Sequence, residues 1–489
     1  MSFEGRGVIK RIHGLLSKKE ISCKELTEKY INEIEKSDLN AYVNVCSEKA
    51  LNDAEKIDKK IIAGEEIDFL TGVPMTLKDL ISTNDIETTC CSKILQGYKP
   101  IYDATVWEKL QDKGAVLLGK TNMDEFAMGS SCQTSCFGGA KNPHNTDYVP
   151  GGSSGGGASA VAGNIAAYAL GSDTGGSIRQ PSSFCGIVGL KPTYGAVSRY
   201  GVVAYASGFD QIGPIAHTAE DAAIVFDAIA GYDEKDSTSN PAPAVNTYSH
   251  LCDSLENLKI GIPKEYYDGV DSEIKTAIEK AIKVYESLGA KVEYFNFPEV
   301  KYSLPVYYIL ACAEAASNLA RFDGVRFGPR AENYKDINEM MCKTRSKYFG
   351  EEVKRRILLG NYVLSSGYYD AYYRKAQGLR AVISKAFSRA FERFDVLLTP
   401  TSPVTAFPAN KNYETPQEIY LADICTVPVN TVGIPGISVP CGFDSKKLPI
   451  GMQILGPKFS ESKLLNVAHQ YETATNYEHN LVLDMGVRL

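Results

Sequence analysis

Two segments rich in glycine and serine, at 151–157 and 171–177, flank an apolar segment and constrain the fold more than any other feature of the chain. A flexible linker of this composition would lead into polar, aperiodic sequence, whereas residues 158–171 have the composition of a packed core. The glycine spacings of phosphate-binding loops are absent from both segments. We therefore predict ordered turns in a buried region, because glycine allows backbone conformations and close approaches that other residues do not.

Strand-like and helix-like segments alternate along most of the chain, which predicts an α/β fold with a large mixed β-sheet covered by helices on both faces. The 489 residues exceed the ~250–300 at which one hydrophobic core stops growing, so several lobes or one large elaborated domain are expected. Before residue 65 the pattern is helical: Ser22 begins a capping-box sequence, and Gly64 is suited to end a second helix. We predict an N-terminal helical segment at 1–65, a second unit at 66–489, and a linker at 236–243.

Hydrophobic periodicity predicts the individual elements. Apolar residues alternate at 73–77, which indicates a strand that ends at Lys78. Further strands are predicted at 115–119, 166–171, 260–262, around 292, 396–398 and 450–455. Helices are predicted at 104–112, 218–231, 272–288, 306–322, 350–394 and 461–473.

Composition and charge narrow the class of protein. A net charge of −7 and a pI near 5.6 argue against a chain that binds nucleic acid alone, because such a chain needs a basic surface. Neither a secretory signal nor a segment as apolar as a membrane span is found, so we expect a soluble, cytoplasmic protein with no membrane contact. The cysteines lack C-x-x-C spacing and histidine partners, which favours free thiols over disulfides or a metal site.

The second glycine-rich segment predicts a nucleophile. Residues 174–177 can align successive backbone N–H groups as an anion-binding nest, which would hold an oxyanion next to the hydroxyl of Ser177. No local signal indicates a Ser-His-Asp triad: the nearest histidines, His144 and His217, lie outside the segment, and the G-x-S-x-G elbow is absent. Lys78 is the alternative base. An ordinary lysine has a pKa of ~10.4 and is neutral at pH 7 only at a cost of about 4.6 kcal/mol, so burial must lower that pKa.

The sequence from 151 to 195, GGSSGGGASAVAGNIAAYALGSDTGGSIRQPSSFCGIVGLKPTYG, resembles the amidase signature family. The resemblance is close over 72–195 and looser elsewhere. It implies that 66–489 is an amidase signature domain, in which the part from about 255 completes the sheet and the substrate pocket. It also implies a triad of Lys78, Ser153 and Ser177, where Ser153 follows a cis peptide bond and passes the proton between lysine and nucleophile. The implied oxyanion donors are the N–H groups of Thr174, Gly175, Gly176 and Ser177.

Within this family the chain is most similar to the A subunits of glutamyl-tRNA(Gln) and aspartyl-tRNA(Asn) amidotransferases, at 123–131, 320–328 and 352–373. This similarity implies a glutaminase that supplies ammonia for converting Glu-tRNA(Gln) to Gln-tRNA(Gln), or Asp-tRNA(Asn) to Asn-tRNA(Asn). Two further subunits would complete a heterotrimer and would bind ATP, Mg²⁺ and most of the charged tRNA. The chain itself is expected to hold no cofactor and no metal.

The resemblance also implies which residues bind glutamine. Arg356 would bind the α-carboxylate, because its planar guanidinium can contact both oxygens. Asp423 would face the α-ammonium, and Tyr308 or Tyr307 would close the pocket. Two further substrate contacts are predicted at Gly129 and Ser130.

Two alternatives stay open. A stand-alone amidase signature hydrolase acting on another carboxamide would use the same triad, so only the substrate pocket would distinguish it. A non-catalytic scaffold subunit would have no need of the triad, and the presence of all three residues argues against it. The sequence does not decide between glutamyl- and aspartyl-tRNA as the acceptor.

Overall fold

One mixed sheet organises the protein, which is described at residues 7–241, 246–410 and 420–476 of a computed structural model. Its strands are β1 (Tyr42–Val45), β2 (Pro74–Lys78), β3 (Val116–Thr121), β4 (Tyr168–Asp173), β5 (Val188–Lys191), β6 (Gln211–Ala216), β7 (Lys259–Pro263), β8 (Lys291–Phe295), β9 (Val396–Pro400), β10 (Gly436–Phe443) and β11 (Pro449–Leu455). They lie in the order β1-β3-β2-β4-β6-β5-β10-β11-β9-β7-β8. β2 is parallel to β3 and β4, and β7 is parallel to β8 and β9, while the other pairs are antiparallel.

Helices cover both faces of this sheet. Every residue of β2, β3, β4 and β6 is buried, and successive side chains on a strand point to opposite faces. The α/β fold class predicted from the sequence is therefore confirmed. The α-helices are Val8–Ser17, Cys23–Lys36, Ser47–Ala63, Thr105–Asp112, Gly155–Ala162, Arg179–Cys185, Ala219–Ile229, Ser272–Ser287, Ser303–Asn318, Ile337–Tyr348, Glu351–Leu364, Lys375–Phe391, Val427–Val432 and Glu461–Thr475.

The predicted N-terminal helix signals are present. Ser22 Oγ accepts the Glu25 N–H at 3.1 Å, and the Glu25 carboxylate accepts the Ser22 N–H at 2.9 Å, so the capping box is confirmed. Gly64 ends the next helix with φ +78°, a left-handed conformation that glycine adopts readily. β1 also lies within 1–65 and pairs with β3 at the edge of the sheet, although helical periodicity gave no sign of it. The division near residue 65 stays a prediction.

The single helical region predicted over 350–394 is wrong. Two helices, Glu351–Leu364 and Lys375–Phe391, are separated by a turn and a π-helical segment at Tyr369–Arg374. Gly367 has φ +87°, which no helix tolerates. Part of the predicted linker at 236–243 falls outside the described residues.

Strand pairing brings the two predicted catalytic segments together. β2 and β4 are parallel neighbours with Leu77 opposite Leu170, so Lys78, the last residue of β2, and Ser172, the last but one of β4, lie at the same edge. The helix Gly155–Ala162 packs against β4. Across the described ranges, no helix is both long and apolar enough to cross a membrane. In the same part of the chain, no three His, Cys, Asp or Glu side chains are grouped as a metal site.

Candidate active site

Lys78 ends β2 inside a cage of serine oxygens. Its Nζ donates to Ser153 Oγ at 2.7 Å, to Ser154 Oγ at 2.9 Å and to Ser172 Oγ at 2.9 Å. The side chain is 1% exposed. Burial lowers the pKa of Lys78 to about 8, although the carboxylates of Asp124, Asp173 and Asp210 act in the opposite direction. With this pKa, about a tenth of Lys78 is neutral at pH 7, compared with about 0.04% of an ordinary lysine, so burial moves Lys78 towards the neutral form that a base needs.

Ser153 reaches Lys78 because the glycines before it let the chain pass through a crowded region. The Gly152–Ser153 peptide bond is cis. A Cβ on Gly152 would lie 2.0 Å from Asp124 Oδ2, and one on Gly151, where φ is +82°, would lie 2.4 Å from Gln180 Oε1. Gln180 Oε1 instead accepts the Gly152 N–H at 2.9 Å. The glycine-rich segment is thus an ordered, buried turn, as predicted.

Ser177 lies on the turn between β4 and the helix Arg179–Cys185, and its exposed fraction is 7%. A hydrogen bond at 3.1 Å from the Ser154 N–H to the Ser177 carbonyl joins the two glycine-rich segments. Within the described residues, no hydrogen bond joins the Ser177 hydroxyl to Ser153. The structure therefore brings Ser153 to Lys78 and holds Ser177 on the adjacent turn.

A buried ion pair shapes the turn that carries Ser177. Asp173 accepts from Arg179 Nε and Nη2, each at 3.0 Å, and both side chains are 0% exposed. Burial raises the pKa of Asp173, but the charge and hydrogen bonds of the Arg179 guanidinium oppose burial and help to lower that pKa to about 2. The carboxylate therefore stays ionised. Asp173 also accepts the N–H groups of Gly176 at 2.8 Å and of Ile178 at 3.2 Å.

The predicted oxyanion donors differ in whether their N–H groups already have a hydrogen-bond acceptor. The Gly176 N–H is already donated to Asp173. The N–H groups of Thr174, Gly175 and Ser177 have no acceptor in the described part of the chain. A Cβ on Gly175 would lie 2.7 Å from the Tyr307 hydroxyl, so glycine is needed for this packing. Three N–H groups on one buried turn can therefore receive a developing negative charge.

Arg356 lies on the buried face of the helix Glu351–Leu364 and is enclosed by aromatic rings. Its Nε donates to Glu352 Oε1 at 2.8 Å, and its Nη1 donates to the Tyr205 hydroxyl at 2.8 Å. The guanidinium carbon is 5.4 Å from the ring centre of Tyr308 and 5.5 Å from that of Tyr420. Nη2 has no acceptor among the described residues, so one edge of the guanidinium is available.

Asp423 is the second charged group predicted to bind substrate. One of its oxygens accepts the Ser130 hydroxyl, and its exposed fraction is 8%. Burial raises the pKa of Asp423 to about 7. At Gly129 a Cβ would lie 2.3 Å from the Asp124 carboxyl carbon, so glycine is needed for the packing of that loop. The structure thus joins Ser130 to Asp423 and gives Gly129 a packing role.

Sequence comparisons identify the family. The sequence model of the family described as Amidase matches residues 25–465. The chain belongs to the amidase family. It is similar to a Carboxydothermus hydrogenoformans protein named as the A subunit of glutamyl-tRNA(Gln) amidotransferase, with 54% identity over 471 residues, covering 96% of this chain and 97% of that one. A protein of the same name from Thermosynechococcus vestitus is 52% identical over 471 residues, covering 96% of this chain and 98% of the other.

Solved structures agree with the sequence relatives of this amidase. The crystal structure of the Thermotoga maritima glutamyl-tRNA(Gln) amidotransferase A subunit has a TM-score of 0.73 and 44% identity, and the match covers 84% of each chain. A bacterial aryl acylamidase of the amidase signature family matches with a TM-score of 0.85 and 26% identity over 100% of both chains. The fold is therefore shared by proteins that carry different enzyme names.

Several contacts in this amidase were missed from the sequence. Ser154 and Ser172 donate or accept hydrogen bonds around Lys78, and the repeated serine in GGSSGG was the one available signal for Ser154. Glu352 contacts Arg356 at the i,i+4 spacing of an ion pair on one helix, a local signal that was overlooked. Tyr205 lies 151 residues away, and such a long-range partner becomes visible only when the fold is known.

Proposed function

We propose that this amidase hydrolyses glutamine as the glutaminase subunit of a tRNA-dependent amidotransferase, and that it supplies ammonia for the conversion of Glu-tRNA(Gln) to Gln-tRNA(Gln). The observation that carries the proposal is sequence identity above 50% over almost the whole chain to proteins named as A subunits of glutamyl-tRNA(Gln) amidotransferase. The conversion of Asp-tRNA(Asn) to Asn-tRNA(Asn) is a second acceptor reaction that the same ammonia could serve. In either case the glutamine chemistry takes place on this chain.

The proposed reaction begins with proton transfer. Neutral Lys78 takes the hydroxyl proton of Ser153 as Ser153 takes the proton of Ser177, and Ser177 Oγ attacks the side-chain amide carbon of glutamine. The N–H groups of Thr174, Gly175 and Ser177 would stabilise the oxyanion of the tetrahedral intermediate. The proton returns through Ser153 to the amide nitrogen, the C–N bond breaks and ammonia leaves. Water, activated by the same relay, then hydrolyses the glutamyl ester and frees Ser177.

The substrate pocket supports glutamine over a neutral amide. The free edge of Arg356 offers N–H donors to an α-carboxylate, and ionised Asp423 offers a carboxylate to an α-ammonium. Tyr308 stacks on Tyr420, with ring centres 4.1 Å apart, and both rings lie beside the guanidinium. Such an arrangement is suited to the two charged groups of a free amino acid.

Partner subunits would carry the remaining chemistry. The relatives are named as subunits, so this chain is proposed to work in a complex, with two other subunits in a heterotrimer. Those subunits would bind ATP, Mg²⁺ and most of the charged tRNA, which agrees with the chain's net charge of −7. A role in preparing charged tRNA for translation would place the protein in the cytoplasm.

A stand-alone amidase is the second candidate. The bacterial aryl acylamidase shares the fold along the full length of both chains, so the same scaffold also serves an enzyme that is not named as an amidotransferase subunit. Only the Arg356 and Asp423 pair argues against this candidate within the pocket. The two functions therefore differ in their dependence on partners and on the charges of the substrate.

Glutamate release from glutamine tests the proposal. It should be measured with this chain alone and after co-purification with its native partners and charged tRNA. Strong stimulation by the partners is expected, and Ser177→Ala should abolish ammonia release while leaving ammonium-driven transamidation intact. Ser159→Ala is the matched control, because Ser159 is buried but donates only to the Lys141 carbonyl, at 2.7 Å. Rapid hydrolysis of unrelated amides by the lone chain would instead establish a free-standing amidase.

A further inference from the structure

Asp210 lies between the oxyanion turn and the residues that hold Arg356, and it contacts both. Thr174 Oγ1 donates to Asp210 Oδ1 at 2.7 Å. The N–H groups of Tyr205 and Ala206 each donate to Asp210 Oδ2 at 3.0 Å. The exposed fraction of Asp210 is 6%, so water cannot readily replace these contacts. One carboxylate therefore holds a side chain on one segment and the backbone of another.

The sheet fixes the Thr174 side of this contact. Asp173 at the end of β4 is paired with Gln211 at the start of β6, and Thr174 and Asp210 are the next residues outward on each strand. Their side chains consequently meet where the strands end. Because the Thr174 N–H has no acceptor among the described residues, a fixed Thr174 side chain also fixes the direction of a free donor.

On its other side, Asp210 is linked through Tyr205 to Arg356, the residue proposed to bind the substrate. Tyr205 is 2% exposed, and its hydroxyl accepts from Arg356 Nη1 at 2.8 Å. The Asp210 N–H donates to the Ala206 carbonyl at 2.9 Å, which closes the turn from 206 to 210. The Asp210 carboxylate thus sets the position of the backbone from which Tyr205 reaches Arg356.

We propose that Asp210 is a positioning residue that couples the oxyanion turn to Arg356, so that glutamine held by its α-carboxylate is aligned with the N–H groups that receive its amide oxygen. The proposal rests on the function proposed above. Asp210 is not proposed to touch the substrate. It acts through its contacts with Thr174 and with the backbone of Tyr205, in addition to the charge that it places near Lys78. A misplacement of about 1 Å in such a site can cost about 10²-fold in rate.

Asp210→Asn breaks this arrangement with little change in shape. An amide has one acceptor oxygen, whereas the carboxylate accepts from one hydroxyl and two N–H groups, so at least one donor would face an NH₂ group. We expect kcat for glutamine to fall about 10²-fold and KM to rise about ten-fold. Thr174→Val should lower kcat with little change in KM, and Tyr205→Phe should raise KM with little change in kcat.

Asp227 provides a matched control. Its carboxylate accepts the Thr247 hydroxyl at 2.7 Å, the Thr247 N–H at 2.9 Å and the Tyr248 N–H at 3.0 Å, which is the same set of donors far from the site. Asp227→Asn should lower the thermal midpoint about as much as Asp210→Asn while leaving kcat and KM unchanged. A structural role for Asp210 would make the two variants alike in both respects.

The deciding experiment is a double-mutant cycle on the complete complex with glutamine. Coupling predicts that Thr174→Val lowers kcat in the wild-type background and has almost no further effect beside Asp210→Asn. The proposal would be overturned if Thr174→Val lowered kcat by the same factor in both backgrounds. It would also be overturned if a folded Asp210→Asn variant had the kcat and KM of the wild type. If the wild-type protein cleaves other amides but not glutamine, the proposed function fails, and the same cycle measured on such an amide still tests the link to Thr174.

Discussion

Lys78 and Lys120 are two buried lysines on neighbouring strands with different surroundings. Lys78 is 1% exposed and Lys120 is 0% exposed, and burial lowers the pKa of each. Lys120 Nζ donates to the Ile81 carbonyl, to Thr88 Oγ1 at 3.0 Å and to Thr83 Oγ1 at 3.2 Å. Burial alone therefore does not make a lysine a catalytic base.

The hydroxyl protons around each lysine make the difference. Thr83 and Thr88 donate their own protons to backbone carbonyls, each at 3.2 Å, so the Lys120 cluster is closed. Near Lys78, Ser154 donates to the Ser172 carbonyl at 3.1 Å, but the Ser153 hydroxyl has no acceptor for its proton among the described residues other than Lys78 itself. A serine hydroxyl whose proton is not donated elsewhere can give that proton to a buried neutral lysine, which then acts as the base of a relay.

The largest effect is expected for Lys78→Met. The substitution keeps the length of the side chain but removes the base, so glutamine hydrolysis should fall about 10³-fold or more. Glutamate release measures the loss, and circular dichroism checks the fold. Activity within about ten-fold of the wild type would mean that another group activates Ser177.

Lys120→Met should affect stability instead. Asp79 would lose the nearby positive charge that lowers its pKa, and leaving a buried carboxylate without that charge costs about 3 kcal/mol. Denaturant unfolding measures the cost, and kcat of the folded enzyme should stay within about two-fold of the wild-type value. A large loss of kcat in a stably folded variant would remove the contrast between the two lysines.

The pH dependence sharpens the comparison further. Only neutral Lys78 acts as a base, so kcat/KM should rise about ten-fold per pH unit up to its pKa of about 8 and then level off. Asp423 must be ionised to bind an ammonium, so its pKa of about 7 should add a second step and a steeper fall at lower pH. Asp423→Asn should leave the Lys78 step alone. A kcat/KM that stays constant between about pH 6 and about pH 9 would contradict a lysine base.

The smallest effect is expected for Ser154→Ala. Its proton is already donated to the Ser172 carbonyl, so it supports Lys78 without taking part in the relay. Loss of one such hydrogen bond is worth about 1 kcal/mol, or roughly five-fold in kcat. Ser153→Ala, compared under the same conditions, should be far more damaging. Equal losses in the two variants would show that the relay does not distinguish the neighbouring serines.

The sequence allowed the fold class and the local signals of the site to be predicted, because these depend on neighbouring residues. Strand periodicity identified Lys78 at the end of β2, and the glycine pattern identified the turns that carry Ser153 and Ser177. The break in the helical region at 350–394 was missed, because a single glycine, Gly367, outweighs long helical periodicity when its φ is positive.

Partners distant in sequence could not be predicted from patterns. Arg356 was assigned by resemblance, yet the Tyr205 hydroxyl that fixes it comes from a loop 151 residues away. In the same way Ser130 contacts Asp423 across 293 residues. Such contacts depend on how the sheet orders its strands, and sequence periodicity carries no information about that order.

The most direct test of the account is to trap the acyl-enzyme. The complex would be mixed with glutamine and quenched in acid, and the peptides would be analysed by mass spectrometry. A glutamyl ester on Ser177 is expected in the wild-type protein, and its amount should fall to background in Lys78→Met. An adduct on a cysteine or on Ser153, or an equal amount of Ser177 ester in Lys78→Met, would contradict a Ser177 nucleophile activated by Lys78.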